Sequence, residues 1–184
     1  GGFSSGSKED SLMQSLSKAF ARKGYVTLSI NYRLKANPYN NYIKTISDTI
    51  SDVSAAIDWL KSNSQRYRID PDKITVGGHS AGAIISLAMG YHKNESYKGL
   101  MAVISSSGCD FPLSSIDSDS PPCILIHGTR DQTINFAESE KLAAKFEKKN
   151  VYHELYPIDN ADHSLGFYRN EIDDVITKYL YYIL

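Results

Sequence analysis

A Gly-His-Ser-Ala-Gly segment at residues 78–82 constrains the fold of this chain more strongly than any other feature. It directly follows an apolar run at residues 73–77 that is typical of a short buried strand, and it directly precedes an apolar helical stretch. A serine on a sharp strand-to-helix turn projects above the end of a sheet, in a strained backbone conformation. Gly78 and Gly82 have no side chains to collide where the strand and the helix come close together. We therefore predict that Ser80 is a nucleophile; the alternative is an ordinary serine helix cap after a glycine turn.

Strand-like and helix-like segments alternate along the whole chain. Apolar runs of strand length predict five strands, at residues 25–32, 73–77, 100–105, 123–127 and 151–156. Apolar spacing and stop signals predict helices at residues 8–23, 43–60, 80–90, 136–150 and 170–183. This alternation predicts the α/β class, as one domain over residues 1–184 that has a mostly parallel sheet with helices on both faces.

Composition excludes several classes of function. Hydrophobic residues make up 41% of the chain and the formal charge is −1, so no global field recruits nucleic acid or an acidic membrane. No apolar run approaches the roughly 20 residues of a membrane span. The histidines are scattered, and Cys109 and Cys123 show no metal-ligand spacing, so we expect reduced thiols and no metal or organic cofactor.

A serine hydroxyl needs a base to remove its proton, and the base needs a carboxylate to hold its tautomer. In this class of sheet the chain order is serine, acid, histidine. Asp131 lies just past the strand at residues 123–127, at the carboxyl end where open α/β sheets place their sites. We predict that Asp131 is the acid rather than a cap of the following helix, and we keep Asp159 and Asp162 as fallback acids.

His163 lies in a polar loop between the last predicted strand and the last predicted helix, and we predict that it is the base. The alternative is a solvent-exposed loop histidine. The other four histidines fit less well: His79 lies in the turn and points away from Ser80, His92 ends a helix at the surface, His127 ends a strand and is structural, and His153 alternates within a strand.

Six segments together resemble the carboxylesterase and hormone-sensitive-lipase-like branch of the α/β-hydrolase superfamily, in the family order and over nearly the whole chain. They are Gly-Gly-Phe at 1–3, Asn-Tyr-Arg-Leu at 31–34, Ile-Asp-Pro-Asp-Lys-Ile at 69–74, Gly-His-Ser-Ala-Gly at 78–82, His-Gly-Thr-Arg-Asp at 127–131 and Asp-His at 162–163. The resemblance implies a serine esterase that hydrolyses small-molecule carboxylic esters through an acyl-enzyme. An amide or peptide hydrolase of the same fold and a catalytically inactive binding module are the alternatives.

The resemblance also implies an oxyanion hole. Gly1 and Gly2 look like the tail of the His-Gly-Gly-Gly segment that supplies backbone amides in that family, and Ala81 after the nucleophile joins them. Taken without the resemblance, Gly1 and Gly2 are unremarkable terminal glycines or an expression scar.

The interval from Ser80 to Asp131 is too short for the helical insertion that family members with lids carry there. The loop at residues 106–122 is rich in Ser, Asp and Pro, so we expect no large cap and an open site that favours short-chain esters. The predicted substrate-binding residues are Phe3, His79, Phe111 and Leu113.

The chain begins without an initiator Met or a signal-peptide pattern, and a cytoplasmic location is the expectation. The family's sheet has eight strands, and the strand before the glycine segment lies between those predicted at residues 25–32 and 73–77. The sequence as given begins after that strand, so the predicted sheet has a gap at its centre. Three explanations of this gap are open: upstream residues are absent from this sequence, the remaining strands have rearranged, or another chain fills the place in a homo-oligomer. We favour the first, in which the N-terminal strands belong to a longer protein.

Overall fold

The computed structural model describes residues 2–112 and 114–184 of the chain. Two predicted site residues, Gly1 and Leu113, lie outside the described residues. The chain divides into two compact units: the first unit, Gly1–Pro71 with Gly166–Leu184, and the second unit, Asp72–Leu165. The prediction of a single domain over residues 1–184 stays a prediction.

Six α-helices and four strands form within the described part of the chain. The helices are α1 Ser11–Arg22, α2 Tyr42–Ser62, α3 Ser64–Tyr67, α4 Ala81–Tyr91, α5 Ala137–Lys148 and α6 Arg169–Ile183. The strands are β1 Thr75–His79, β2 Ala102–Ser106, β3 Cys123–Gly128 and β4 His153–Ile158. Short 3₁₀ turns lie at Pro38–Asn41 and Gly166–Tyr168.

A four-stranded parallel sheet with the strand order β1-β2-β3-β4 forms the centre of the second unit. All six residues of β3 are buried, because a central parallel strand is covered on both faces and its sequence is a continuous rather than an alternating apolar run. The strand that leads to Ser80, β1, lies at one edge of this sheet. The predicted α/β class with a mostly parallel sheet is confirmed.

Helices α4 and α5 each connect successive parallel strands and pack on the sheet. The rings of Tyr91 in α4 and Phe146 in α5 meet edge to face with their centroids 5.1 Å apart, so the two helices lie against the same face. Gly90 permits the close approach of α4, because a Cβ atom there would lie 2.7 Å from Cγ2 of Val103.

The connection between β2 and β3 contains no helix over residues 107–112 and 114–122, so it carries no helical cap. Among the residues that the structure describes, no helix combines the length and the apolar character that crossing a membrane requires.

Helices dominate the first unit. The predicted helix at residues 43–60 is confirmed as α2, whose apolar stripe buries Ile46, Ile50 and Ile57. Asp10 caps α1 by accepting hydrogen bonds from the backbone amides of its first turn, as a short acidic side chain does at this position. The helix stops before Gly24, which has a φ of +94°.

The strand predicted for residues 25–32 is wrong, and the sheet therefore has four strands rather than five. These residues join no ladder. The Tyr25 amide donates to the carbonyl oxygen of Phe20, and side chains make further hydrogen bonds. Thr27 Oγ1 donates to the carbonyl oxygen of Ser17 at 3.1 Å, and Ser29 Oγ donates to that of Lys8 at 2.9 Å. The composition suits a strand, but a strand exists only where a second strand accepts its backbone hydrogen bonds.

Candidate active site

Ser80 stands on the turn between β1 and α4. Its backbone has φ 56° and ψ −119°, a combination that non-glycine residues rarely adopt and that costs on the order of 1–3 kcal/mol. The turn is fixed from the neighbouring strand, since the Ser80 amide donates to the carbonyl oxygen of Ser106 at 2.9 Å. The second unit therefore holds the serine in a strained conformation at the end of a buried sheet.

The two glycines of the Gly-His-Ser-Ala-Gly segment have different roles. A Cβ atom on Gly78 would lie 2.4 Å from the backbone carbonyl carbon of Gly82, which no side chain can tolerate. A Cβ atom on Gly82 would meet nothing within 4 Å. The predicted reason for both glycines, a close approach of strand and helix, is thus correct for Gly78 and wrong for Gly82.

The structure brings the three predicted catalytic residues together within the second unit. Nε2 of His163 lies 2.9 Å from Oγ of Ser80, and Nδ1 of the same ring lies 2.7 Å from Oδ2 of Asp131. Because a carboxylate oxygen only accepts, Nδ1 of His163 carries the proton and the Nε2 lone pair faces the serine hydroxyl. The side chain of His163 is 21% exposed and that of Asp131 is fully buried, so the histidine is partly open to solvent while its carboxylate partner is shielded from it.

The carboxylate of Asp131 is held on both oxygens. Oδ1 accepts the backbone amides of Thr133 and Ile134 at 2.8 and 2.9 Å. Burial raises the pKa of Asp131, but the hydrogen bonds from His163, Ile134 and Thr133 lower it by more, so the pKa lies below its usual range. Helix α5 begins after Phe136 without a side-chain cap, so Asp131 orders its own loop rather than that helix.

The loops of the acid and the base are joined through their backbones. The amide of Arg130 donates to the carbonyl oxygen of Ala161 at 2.9 Å. Gly128 allows this approach, because a Cβ atom there would lie 2.4 Å from the same oxygen. Ser107 Oγ donates to the carbonyl oxygen of His163 at 3.4 Å. The loops that carry Asp131 and His163 are therefore held against each other by hydrogen bonds to main-chain oxygens.

The fallback acids are placed elsewhere. The carboxylate of Asp162 accepts the hydroxyl of Ser164 at 2.7 Å and its amide at 3.0 Å. The hydrogen bond from the Ser164 hydroxyl is the main cause that lowers the pKa of Asp162. Asp159 is exposed. Asp131 accepts a hydrogen bond from His163 Nδ1, as the predicted acid should.

The other histidines need one correction. The ring of His79 lies 5.1 Å from the ring of His163, so this side chain is beside the candidate base; its direction relative to Ser80 and its contact with a substrate stay predictions. His92 is buried rather than a surface residue, and its Nδ1 accepts the amides of Asn94 and Glu95.

His127 was predicted to end a strand, whereas β3 continues one residue further to Gly128, and its contact with the acid was not predicted. Its Nε2 lies 3.0 Å from Oδ2 of Asp131 and 2.9 Å from the carbonyl oxygen of Ile134, and its Nδ1 lies 2.7 Å from Oγ of Ser139. The sequence shows that the two residues are four apart, but their contact depends on how the loop turns after β3, which this spacing does not fix.

The predicted substrate-binding aromatic residues are buried. Phe3 is 1% exposed and packs edge to face against Tyr32 and Tyr42 within the first unit. Phe111 is 5% exposed and stacks on His92 within the second unit. Their contact with a substrate stays a prediction, and the prediction for Leu113 falls outside the described residues.

The predicted oxyanion-hole residues are described in part. Ala81 is the first residue of α4, so its backbone N–H has no acceptor within the helix. Gly2 lies in a turn of the first unit with a φ of +64°. Gly1 lies outside the described residues, and the joint role of the three amides stays a prediction.

Other chemistries find little support among the described residues. His, Cys, Asp and Glu side chains form no group of three or more there that could hold a metal ion. Both cysteines are free thiols, and burial raises the pKa of Cys109 to about 11 and that of Cys123 to about 12. Neither thiol is therefore a thiolate nucleophile near neutral pH.

A parallel sheet with a serine on a strained strand-to-helix turn, contacted by a histidine from the last loop, defines an α/β-hydrolase of the carboxylesterase-like kind. Residues 1–110, more than half of the chain, match the BD-FAE family. The chain belongs to that family. Residues 111–184 match the prolyl oligopeptidase family.

Named relatives are esterases of greater length. Gut esterase 1 of Caenorhabditis elegans is 29% identical over 118 residues, which are 58% of this chain and 20% of the worm protein. Acyl-protein thioesterase 1 of Debaryomyces hansenii is 30% identical over 128 residues, 65% of this chain and 55% of the yeast protein. The chain thus spans a fifth and about half of these two curated relatives.

Solved structures share the fold. Esterase 2 of Thermogutta terrifontis with propionate bound superposes with a TM-score of 0.84 at 22% identity, over 100% of this chain and 80% of that one. The same esterase has been solved phosphorylated by paraoxon.

Proposed function

We propose that the chain hydrolyses small or short-chain carboxylic esters through an acyl-enzyme on Ser80. The observation that carries this proposal is the row of hydrogen bonds from Ser80 Oγ to His163 Nε2 and from His163 Nδ1 to Asp131 Oδ2, at 2.9 and 2.7 Å. Nucleophile, base and orienting acid are the three parts that acyl transfer to water requires.

In the first half-reaction Ser80 Oγ attacks the ester carbonyl carbon while its proton passes to Nε2 of His163. Asp131 stays ionised and stabilises the imidazolium that forms. The tetrahedral intermediate collapses when His163 returns the proton to the alcohol oxygen, which leaves. Water then attacks the acyl carbon with His163 again as the base, and the acid is released as Ser80 regains its proton.

The oxyanion of each tetrahedral intermediate needs donors. The N–H of Ala81, at the start of α4, is one candidate, and Gly1 and Gly2 are the others that the family resemblance implies. One such donor is worth about 3 kcal/mol of barrier in a known protease.

The substrate size rests on two observations. The connection between β2 and β3 carries no helical cap over its described residues, which favours small substrates over long acyl chains that need an apolar lid. The Thermogutta esterase, which shares the fold, was solved with propionate bound, a three-carbon acid.

The test replaces Ser80 by Ala and measures p-nitrophenyl acetate hydrolysis by the full chain. We expect activity to fall to background, since loss of the serine costs about 10⁶-fold in kcat in a protease of the same chemistry. Ser118→Ala, a change in the exposed loop before β3, is the matched control and should retain full activity. Undiminished hydrolysis by Ser80→Ala would refute the assignment.

Two further measurements address the alternatives. A fluorophosphonate probe should label the wild-type chain on Ser80, and absence of an adduct favours an inactive binding module. A peptide hydrolase is the second candidate, because residues 111–184 match the prolyl oligopeptidase family. A panel of short-chain esters, acetylated sugars and peptides separates it from an esterase.

A further inference from the structure

Asp131 contacts a second imidazole that the reaction just described does not use. His127 Nε2 and His163 Nδ1 both approach Oδ2 of Asp131, at 3.0 and 2.7 Å. The side chain of His127 is fully buried, and Ser139, which contacts its other ring nitrogen, is 1% exposed. One continuous row of hydrogen bonds therefore joins Ser139, His127, Asp131, His163 and Ser80. A substrate can reach this row at its Ser80 end.

The neighbours of His127 fix which nitrogen carries the proton. Nε2 lies between Oδ2 of Asp131 and the carbonyl oxygen of Ile134, both of which are acceptors. Nε2 must therefore be protonated, and it donates to both oxygens. In the neutral ring Nδ1 then has a lone pair, and the hydroxyl of Ser139 donates to it at 2.7 Å. Each group in this arrangement has a partner of the matching kind.

The consequence for Asp131 is geometric. Two backbone amides hold its Oδ1, and without His127 its Oδ2 would have a single side-chain donor, the histidine that must change its charge during each turnover. A buried donor that does not take part in the proton transfer keeps Oδ2 in place while His163 gains and loses its second proton.

We propose that His127 is a positioning residue for catalysis: as a neutral Nε2–H tautomer, set by the two acceptors that face Nε2, it holds the carboxylate of Asp131 toward His163. This inference rests on the proposed function, since it concerns the same site. In this proposal His127 does not contact the substrate and does not transfer a proton. Its effect is on how often Asp131 and His163 are aligned, and so on kcat rather than on substrate binding.

The first experiment compares His127→Phe with His127→Gln in the full chain, using p-nitrophenyl acetate. Phe removes both donors and acceptors, and we expect kcat to fall by about ten- to hundred-fold at unchanged KM, well short of the about 10⁴-fold cost of losing the orienting carboxylate group itself in a protease. The amide group of Gln reaches the place of Nε2 and donates an N–H, so His127→Gln should recover most of the lost kcat.

The matched control is His153→Phe. His153 lies in β4 of the same unit, its Nδ1 pairs with the carbonyl oxygen of Val151, and its ring stacks on Phe146 rather than contacting Asp131. We expect no change in kcat. A folded His127→Phe chain with the wild-type kcat, or equal losses for Phe and Gln, would overturn the inference.

A second measurement reports the tautomer directly and does not depend on turnover. Long-range ¹⁵N–¹H spectra of the imidazole rings in the wild-type chain and in Ser80→Ala should show His127 in the Nε2–H form, with its signals assigned by their loss in His127→Gln. His92, whose Nδ1 accepts two backbone amides, should show the same form and serves as an internal reference. An Nδ1–H form of His127 would refute the tautomer. Ser139→Ala removes the hydroxyl that donates to Nδ1 but leaves both acceptors at Nε2, so it should keep the Nε2–H form and lower kcat a few-fold, less than His127→Phe.

The two proposals fail in different ways. If the wild-type chain neither hydrolyses esters nor reacts with the fluorophosphonate probe, the proposed function fails, and the role inferred for His127 fails with it even where the tautomer is found. If the wild-type chain is active and His127→Phe is equally active, the inference about His127 alone fails.

Discussion

Residues 25–32 and strand β3 have similar compositions and different structures. Both are rich in β-branched or other large apolar residues, and both are predicted strands. All six residues of β3 are buried between β2 and β4. In residues 25–32, by contrast, Val26 and Leu28 are 50% and 46% exposed and no ladder forms. β-propensity therefore shows where a strand is able to form, while a neighbouring strand decides whether it does.

The two regions are held by different forces. Apolar burial and main-chain hydrogen bonds hold β3, and neither depends much on pH or salt. Side chains hold the segment from residue 25 to residue 35, which ends in a cluster of ion pairs around Asp48. This difference predicts which substitutions and which conditions each region tolerates.

The largest expected effect comes from truncating a side chain in β3. Leu125→Ala removes a side chain with 0% exposure, and we expect it to lower the free energy of unfolding by about 2–5 kcal/mol. Leu28→Ala is the matched change in the other region, and it should alter the free energy by less than about 0.5 kcal/mol. Urea unfolding followed by circular dichroism measures both.

If Leu125→Ala and Leu28→Ala lowered the free energy of unfolding by similar amounts, the proposed difference between the two regions would be wrong. Residues 25–32 would then be packed in solution as firmly as a central strand. A Leu28→Ile variant sharpens the test, because it keeps the apolar surface and should leave the unfolding midpoint unchanged.

Much of the fold was predictable from sequence, because local signals and packing agree there. The apolar stripe from Ile43 to Leu60 predicted α2, and the uniform run at residues 123–127 predicted the buried β3. The strand predicted at residues 25–32 was wrong because the pattern of these residues carries no information about whether a second strand lies beside them. The same limit applies at Gly82, whose neighbouring space depends on atoms distant in sequence.

The candidate site was predictable where chain order carries the information. Ser80, Asp131 and His163 follow the order of the fold class, and the structure brings them into hydrogen-bonding distance. The burial of Phe111 and the contact of His127 with Asp131 were not predictable, since each depends on how a loop turns after its strand.

The second expected effect concerns one added methyl group. Gly78→Ala places a Cβ atom 2.4 Å from the backbone of Gly82, so the turn that carries Ser80 must move. We expect a loss of about 1–3 kcal/mol of stability and a large loss of esterase activity. Gly82→Ala meets open space in a helix and should keep both.

Gly24→Ala extends this test to the residue just before the segment at residues 25–32. Its Cβ atom would meet nothing within 4 Å, but the φ of +94° costs about 1–2 kcal/mol for a side chain. Thermal unfolding and p-nitrophenyl acetate hydrolysis separate the outcomes: Gly24→Ala should lose stability only. If Gly78→Ala retained full activity, the turn would be less constrained than its packing indicates.

The smallest expected effect concerns the ion pairs around Asp48, which lie at the end of the segment from residue 25 to residue 35. Hydrogen bonds from Lys35 and Lys44 lower the pKa of Asp48 from its usual 3.8 to about 2. A group whose pKa is lower in the folded state adds stability above its unfolded pKa and loses it as the pH falls through the folded value. The first unit should therefore lose stability between about pH 4 and pH 2.

Trp59, the one tryptophan of the chain, lies in α2 of the first unit, so its fluorescence reports on this loss. Asp48→Asn should weaken the acid-dependent part of the transition, whereas Asp119→Asn, an exposed change in the second unit, should leave it unchanged. Salt that shortens the Debye length to about 3 Å should act in the same direction as Asp48→Asn, because partly exposed ion pairs are screened. Salt should leave the unfolding of β3 unaltered, since its stability comes from apolar burial. An acid transition in Asp48→Asn identical to that of the wild type would show that the ion pairs of Asp48 do not hold the segment.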